Sequence, residues 1–247
     1  MPKAGLTADS ASASAHAPPP AVAPVPQLDE LKVVVLSFGT RTLQRVFHRS
    51  HDAKAMKERC WGPRGHRHAR LDDSLLRGCM QDVVEARFGG VDARISMAKF
   101  VDCRSLQKPH DAEATGNHVG MHATLQVQYQ KMAACKYVHQ QRREALRDLN
   151  KLFEIEAGLT ASGSPRQRMA LICFFCNAGE HRSVGMAEVF KRMLDKLDIS
   201  SELCHVCDSL WRPKYCMGCA SCRQSTNTPA GQEALRLMEA AVSQSQS

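Results

Sequence analysis

The stretch MALICFFCNAGEHRSVGMAEVFKRMLDKL, residues 169–197, decides the fold. Met169 to Cys176 is an unbroken apolar run of strand length, as expected of a strand covered on both faces. Asn177 to His181 is a short polar turn with Gly179 at its centre. From Arg182 onward, Val184, Ala187, Val189, Phe190, Met193, Leu194 and Leu197 recur at helical spacing along one apolar face. A strand, a tight glycine loop and a helix N-terminus form an anion site, because loop N–H groups and the positive helix end converge on one point. His181, Arg182 and Ser183 add donors there, and an arginine can grip two phosphate oxygens at once.

Working outward, Ser200 to Val206 returns as a short strand. Strand, helix and strand in that span imply a right-handed crossover and a parallel sheet. LKVVVLSFG, Leu31 to Gly39, is another buried strand that ends in a Ser and Gly edge. AKFVDCRSLQKP, Ala98 to Pro109, is a third, and Asp102 and Arg104 share one side if the strand continues. The expected architecture is α/β: an open, mostly parallel sheet with flanking helices and ligand loops at the strand carboxyl ends. Asp72 to Arg87 reads as a helix with Asp72 or Asp73 as N-cap, ended by Gly89-Gly90. Helical segments are expected over 118–137 and 138–156, followed by a polar linker over 158–165.

Between Thr40 and Leu71 the chain is dense in Arg and His and poor in aliphatic residues. Such a segment serves either as a basic arm against phosphates or as a solvated excursion. The first 28 residues are Ala, Ser and Pro with almost no charge, a composition expected of a disordered tail rather than of an Arg-rich transit peptide. Residues 229–242 form an amphipathic helix whose Leu235, Leu237, Met238 and Val242 pack on the domain itself by default, or on a second subunit in a homo-oligomer.

Net charge of +8 favours anionic partners. No apolar run approaches the roughly 20 residues of a membrane span, so no membrane partner is expected. Eleven Cys without a secretory signal point to a reducing, intracellular and cytoplasmic setting, where thiols serve metals or chemistry rather than a disulfide frame.

SFG at 37–39, F-V-D-C-R-S-L with Pro109, T-G at 115–116, C-N-A-G-E-H-R-S-V with Ala187-Glu188, and then His205 follow one another in a recognisable order. With them the sequence resembles the RapZ C-terminal domain family of RNase adapter proteins. That resemblance implies a sugar-phosphate-enzyme-like α/β domain over 29–210 that binds RNA and an amino-sugar phosphate as an adapter, not a catalyst. It implies a pocket lined by Ser37, Phe38, Gly39, Asp102, Arg104, Gly179, His181, Arg182, Ser183 and His205. The gap between SFG and D-x-R exceeds that of the family, so 41–96 reads as an insertion. No G-x-x-x-x-G-K-[ST] segment occurs, so the nucleotide-hydrolysing half of the family is not expected. The resemblance thus implies a sugar phosphate or a nucleotide as partner, with RNA as a further candidate.

Two further patterns compete for the same chemistry. Cys176, Arg182 and Ser183 form C-x5-R-S, the loop of cysteine phosphatases, in which the thiolate attacks phosphorus, the Arg binds its oxygens and the Ser assists the leaving thiolate. Phe175 occupies the place where such loops usually carry His, and no acid Asp stands at a suitable upstream position. Cys176 then reads instead as a buried strand-end thiol. In the Cys-rich segment over 204–247, Cys204-x2-Cys207 and Cys216-x2-Cys219 pair as in a structural zinc site, with Cys222 or His205 as spare ligands. Against this, Cys204 and Cys207 lie on an expected strand and point apart, which leaves core thiols and a separate C-x2-C-x2-C group.

Overall fold

The computed structural model describes residues 31–88, 94–107, 109, 116–159 and 168–243. The Ala/Ser/Pro tail, Gly89-Gly90, Thr115 and the linker over 160–165 lie outside the described residues. The elements run β1 (Leu31–Gly39), α1 (Leu43–Val46), α2 (His51–Trp61), α3 (Asp73–Phe88), β2 (Arg94–Asp102), α4 (Ala123–Lys131), α5 (Cys135–Leu159), β3 (Arg168–Cys176), α6 (Arg182–Lys196), β4 (Ser201–His205), α7 (Asp208–Trp211), α8 (Ala220–Arg223) and α9 (Pro229–Ser243).

The four strands form one parallel sheet in the order β2-β3-β1-β4. The expected parallel α/β sheet is thus present. β3 and β4 are not neighbours, however, because β1 lies between them. β2 begins earlier than its apolar run suggests and stops at Asp102, so Arg104 stands in the turn beyond it. The helical segment expected over 118–137 is shorter, confined to α4, and α5 starts at Cys135.

Alternation along the strands builds two apolar layers. Val33 and Val35 of β1, with Ala170, Ile172 and Phe174 of β3, face α4, α5, α6 and α9. Val34, Leu36 and Phe38, with Leu171, Cys173 and Phe175, face α1, α2, α3 and Trp211. The Arg- and His-rich stretch therefore carries its own apolar stripe. Leu43, Met56 and Cys60 in it, with Leu76, Met80 and Val83 of α3, are buried and cover this second face. Ser50 caps α2 through its hydroxyl, and Asp72 caps α3 by accepting the Leu75 amide at 2.8 Å.

After β1 the chain leaves over one face of the sheet, and after β3 it leaves over the other. The adjacent carboxyl ends of β1 and β3, where Gly39 pairs with Cys176, are therefore a topological switch point, where open parallel sheets bind ligands.

Candidate functional site: an anion cleft at the strand ends

The loop over 177–181 joins β3 to α6 and is held by backbone on two flanks and by one side-chain hydroxyl. On one flank the Thr40 and Arg41 amides donate to the carbonyls of Cys176 and Asn177, both at 2.9 Å. On another, the Gly120 amide donates to the Glu180 carbonyl at 3.1 Å. The Thr42 hydroxyl donates to the Ala178 carbonyl at 2.8 Å. Gly179 has φ +72, and a Cβ there would stand 2.6 Å from the Gly39 nitrogen. Glycine at 179 is needed both for the left-handed backbone and for this close approach.

The β2 turn closes the remaining side. Arg182 donates from Nη1 to the carbonyls of Arg104 at 2.9 Å and Leu106 at 2.8 Å. Arg104 is itself saturated. Its Nε and Nη2 engage both Asp102 oxygens at 2.7–3.0 Å, and Nη1 reaches the Ala69 carbonyl at 2.9 Å. Its guanidinium also lies over the Phe175 ring at 5.2 Å. Asp102 and Arg104 thus form the rim ion pair, with the arginine side chain only 4% exposed.

Between these parts lies a cleft of about 430 Å³ lined by Arg67, His68, Arg104 to Gln107, Tyr129, Asn177, His181 and Arg182. Arg67 is placed by Trp61, whose ring centroid lies 5.4 Å from the Arg41 guanidinium and 5.3 Å from that of Arg67. Among the described residues the lining contains no carboxylate. Two polar atoms in it, the Tyr129 hydroxyl and Asn177 Oδ1, are buried without a hydrogen-bond partner among the described residues. Burial pushes the Tyr129 phenol up, so it remains a proton donor through neutral pH. A larger groove of about 730 Å³ runs along α5, but its walls mix Arg143, Arg147 and Lys151 with Glu144 and Glu154.

Of the residues singled out in the sequence, Arg104, His181 and Arg182 line this cleft. The others stand behind it. Phe38 stacks on Phe175 inside the core at 5.6 Å. Gly39 backs the loop, and the Gly179 amide donates to Cys176 Sγ at 3.2 Å. Ser183 is buried, with its hydroxyl 3.2 Å from the same sulfur. Ser37 and His205 join in an inward chain. His205 Nε2 donates to the Glu188 carboxylate at 3.0 Å, so Nδ1 accepts from the Ser37 hydroxyl at 2.7 Å. Cys176 is 2% exposed and does not line the cleft.

The cysteines divide differently from their sequence pairing. Cys216, Cys219 and Cys222 gather with His118, their ligand atoms all within 4.8 Å of one another. Cys204 and Cys207 stay outside this group. Cys204 sits on β4, and Cys207 is buried against the Thr42 hydroxyl at 3.4 Å. Burial pushes the Cys207 thiol up to about 11, as expected of a core thiol.

Four residues of this site escape sequence reasoning. Arg67 and His68 are hidden in a uniformly basic run, Tyr129 looks like a core aromatic, and Glu188 faces His205 only once α6 packs under β4. Their common signal is weak, since nothing local separates them from their neighbours.

These features define an α/β domain with a basic cleft at the carboxyl edge of a parallel sheet. Residues 90–207 match the family model of the RapZ C-terminal domain. The matched segment holds β2 to β4 and the C-x5-R-S loop, while β1 with its SFG edge precedes it. No curated protein and no solved structure gave a match.

Proposed function

We propose that this chain is a non-catalytic binding domain that takes a phosphorylated ligand, a sugar phosphate or nucleotide, in the cleft between the β2 turn and the β3–α6 loop. The observation that carries this reading is the lining itself. Arg67 and Arg182 supply positive charge and His68 and His181 add ring nitrogens, with no carboxylate among the described residues, and Tyr129 offers a buried phenol without a hydrogen-bond partner among those residues. A cleft of about 430 Å³ suits a small phosphorylated molecule. In this reading the Asp102–Arg104 pair and the Gly39, Gly179, Ser183, Ser37 and His205 contacts shape the loop, and Arg182 and His181 face the phosphate. The RapZ C-terminal family match supports an adapter role, and the exposed basic residues near Trp61 extend the surface on which RNA would lie.

A phosphatase reading has one observation in its favour: the Gly179 amide and the Ser183 hydroxyl both lie at Cys176 Sγ, as thiolate stabilisation requires. The burial of Cys176 and the lack of an acid in the lining among the described residues weigh against it.

The deciding experiment titrates the full chain with a hexose phosphate, a nucleotide and a fluorescent RNA, comparing Arg67→Ala and Arg182→Ala with wild type. A phosphomonoester turnover assay runs beside it. Binding that drops at least about tenfold in both variants, without turnover, supports the cleft. Turnover abolished by Cys176→Ser would replace the binding reading by the phosphatase.

A further inference from the structure

We infer that His118, Cys216, Cys219 and Cys222 form a closed structural zinc site. It clamps the segment after α7 onto the chain that backs the anion loop.

The first argument is geometric. In a tetrahedral site with Zn–S near 2.3 Å and Zn–N near 2.0 Å, sulfur atoms stand about 3.8 Å apart and sulfur and nitrogen about 3.5 Å apart. His118 Nδ1 lies 3.3 Å from Cys222 Sγ and 3.9 Å from Cys219 Sγ, and all four ligand atoms fall within 4.8 Å of one another. The spacing is that of the edges of a metal tetrahedron. Three thiols and an imidazole are a soft donor set that selects zinc over magnesium or calcium, and four protein donors leave no open position for chemistry.

The second argument concerns what holds this segment. Among residues 212–228 only Cys222 and Ser225 are buried, so there is almost no apolar core to fix it. A segment this poor in core needs a staple, and a metal supplies one. The backbone prepares the site. Cys219 precedes the single turn of α8 and Cys222 lies within it, while the Cys216 amide donates to the Asn117 carbonyl at 2.8 Å. That bond sets the third thiol beside the histidine.

The position of the cluster explains its use. Gly120 is two residues from His118, and a Cβ there would overlap the His181 carbonyl, so this backbone lies directly against the anion loop. Tyr215, adjacent to Cys216, donates to Glu180 at 3.2 Å and meets the His181 ring edge-on at 5.4 Å. One ion would therefore tie both supports of the loop together. On binding, each thiol releases its proton to solvent and the imidazole coordinates as the neutral base.

The test is metal content of the full chain, purified without chelator from zinc-supplemented medium, together with the absorption of the cobalt-substituted protein. Wild type is expected to hold about one zinc per chain. Cobalt should give the intense visible bands of a tetrahedral site and a near-ultraviolet thiolate-to-metal band. Cys219→Ser and His118→Ala should lower zinc at least about fivefold, while Cys204→Ser and Cys207→Ser retain it. Because a ligand variant can misfold, wild type stripped by a chelator is measured as well, and re-added cobalt must restore the thiolate band. Zinc below about a tenth per chain with no cobalt–thiolate band would overturn the proposal. So would zinc lost with Cys204 and Cys207 but kept in the His118 and Cys219 variants.

Discussion

Arg182 binds Arg104 through its backbone, not its charge: Arg182 Nη1 donates to the Arg104 carbonyl at 2.9 Å. The Arg104 guanidinium instead engages Asp102, so the two arginines meet guanidinium to carbonyl. The contact ties the helix-side loop to the β2 turn and fixes the width of the cleft. Arg182→Ala should lower stability by about 1–2 kcal/mol through two lost charged hydrogen bonds. Arg182→Lys should recover part of that loss but not the two-carbonyl grip. Urea midpoints of the three proteins check this.

Asp102 is the sole carboxylate that Arg104 engages among the described residues, and it is 26% exposed while the arginine is nearly sealed. Asp102→Ala leaves a buried guanidinium without its counter-charge and should destabilise by about 3 kcal/mol, the low end for a buried pair because Asp102 is partly wet. Replacing both residues, Asp102→Leu with Arg104→Met, should be less damaging than the single change. A double-mutant cycle on thermal unfolding settles the point.

Gly179→Ala places a side chain in left-handed backbone and against the Gly39 nitrogen. Strain of about 1–3 kcal/mol follows, and the loop must shift because the opposing atoms are backbone. Ligand affinity in the cleft should fall more than stability does. Titration calorimetry compared with denaturant unfolding tests that inequality.

His139 lies buried beside Arg142, whose Nη2 donates to its Nδ1 at 2.6 Å. Burial first, then the neighbouring Arg142 and Arg143, hold its pKa down from 6.5 to about 3. Unfolded chain takes up a proton that the folded chain refuses between those values. Stability from this group is therefore complete above about pH 6.5 and is lost as pH falls towards about 3. The slope is about 1.4 kcal/mol per pH unit at most. His139→Gln should flatten the fall in thermal midpoint between pH 6 and pH 4.

Removing metal from the His118–Cys216–Cys219–Cys222 cluster should leave the sheet intact and loosen residues 212–228. Faster amide exchange at Tyr215 to Cys222, with β3 unchanged, is the expected signature. Weaker hexose-phosphate binding should accompany it, because Tyr215 and Gly120 both brace the 177–181 loop.

Local pattern alone made much of this protein legible. Unbroken apolar runs at 31–39 and 169–176, a glycine turn and a helical stripe from Arg182 define buried parallel strands and the glycine loop that leads into a helix, because each signal lies within one element. Asp102 and Arg104 drew notice for the same reason, being two residues apart, although the strand stops at Asp102 and the turn brings them together. Tertiary structure alone decided what depends on distant chain meeting. It put β1 between β3 and β4, and it turned a basic run into a layer on the sheet with Arg67 at the cleft. It also turned Ser37 and His205 inward to Glu188, and it exchanged Cys204 and Cys207 for His118 in the thiol cluster. Sequence spacing reports which side chains share a face of one strand or helix. Which faces then meet is set by packing whole elements against one another, and that information is spread over the entire chain.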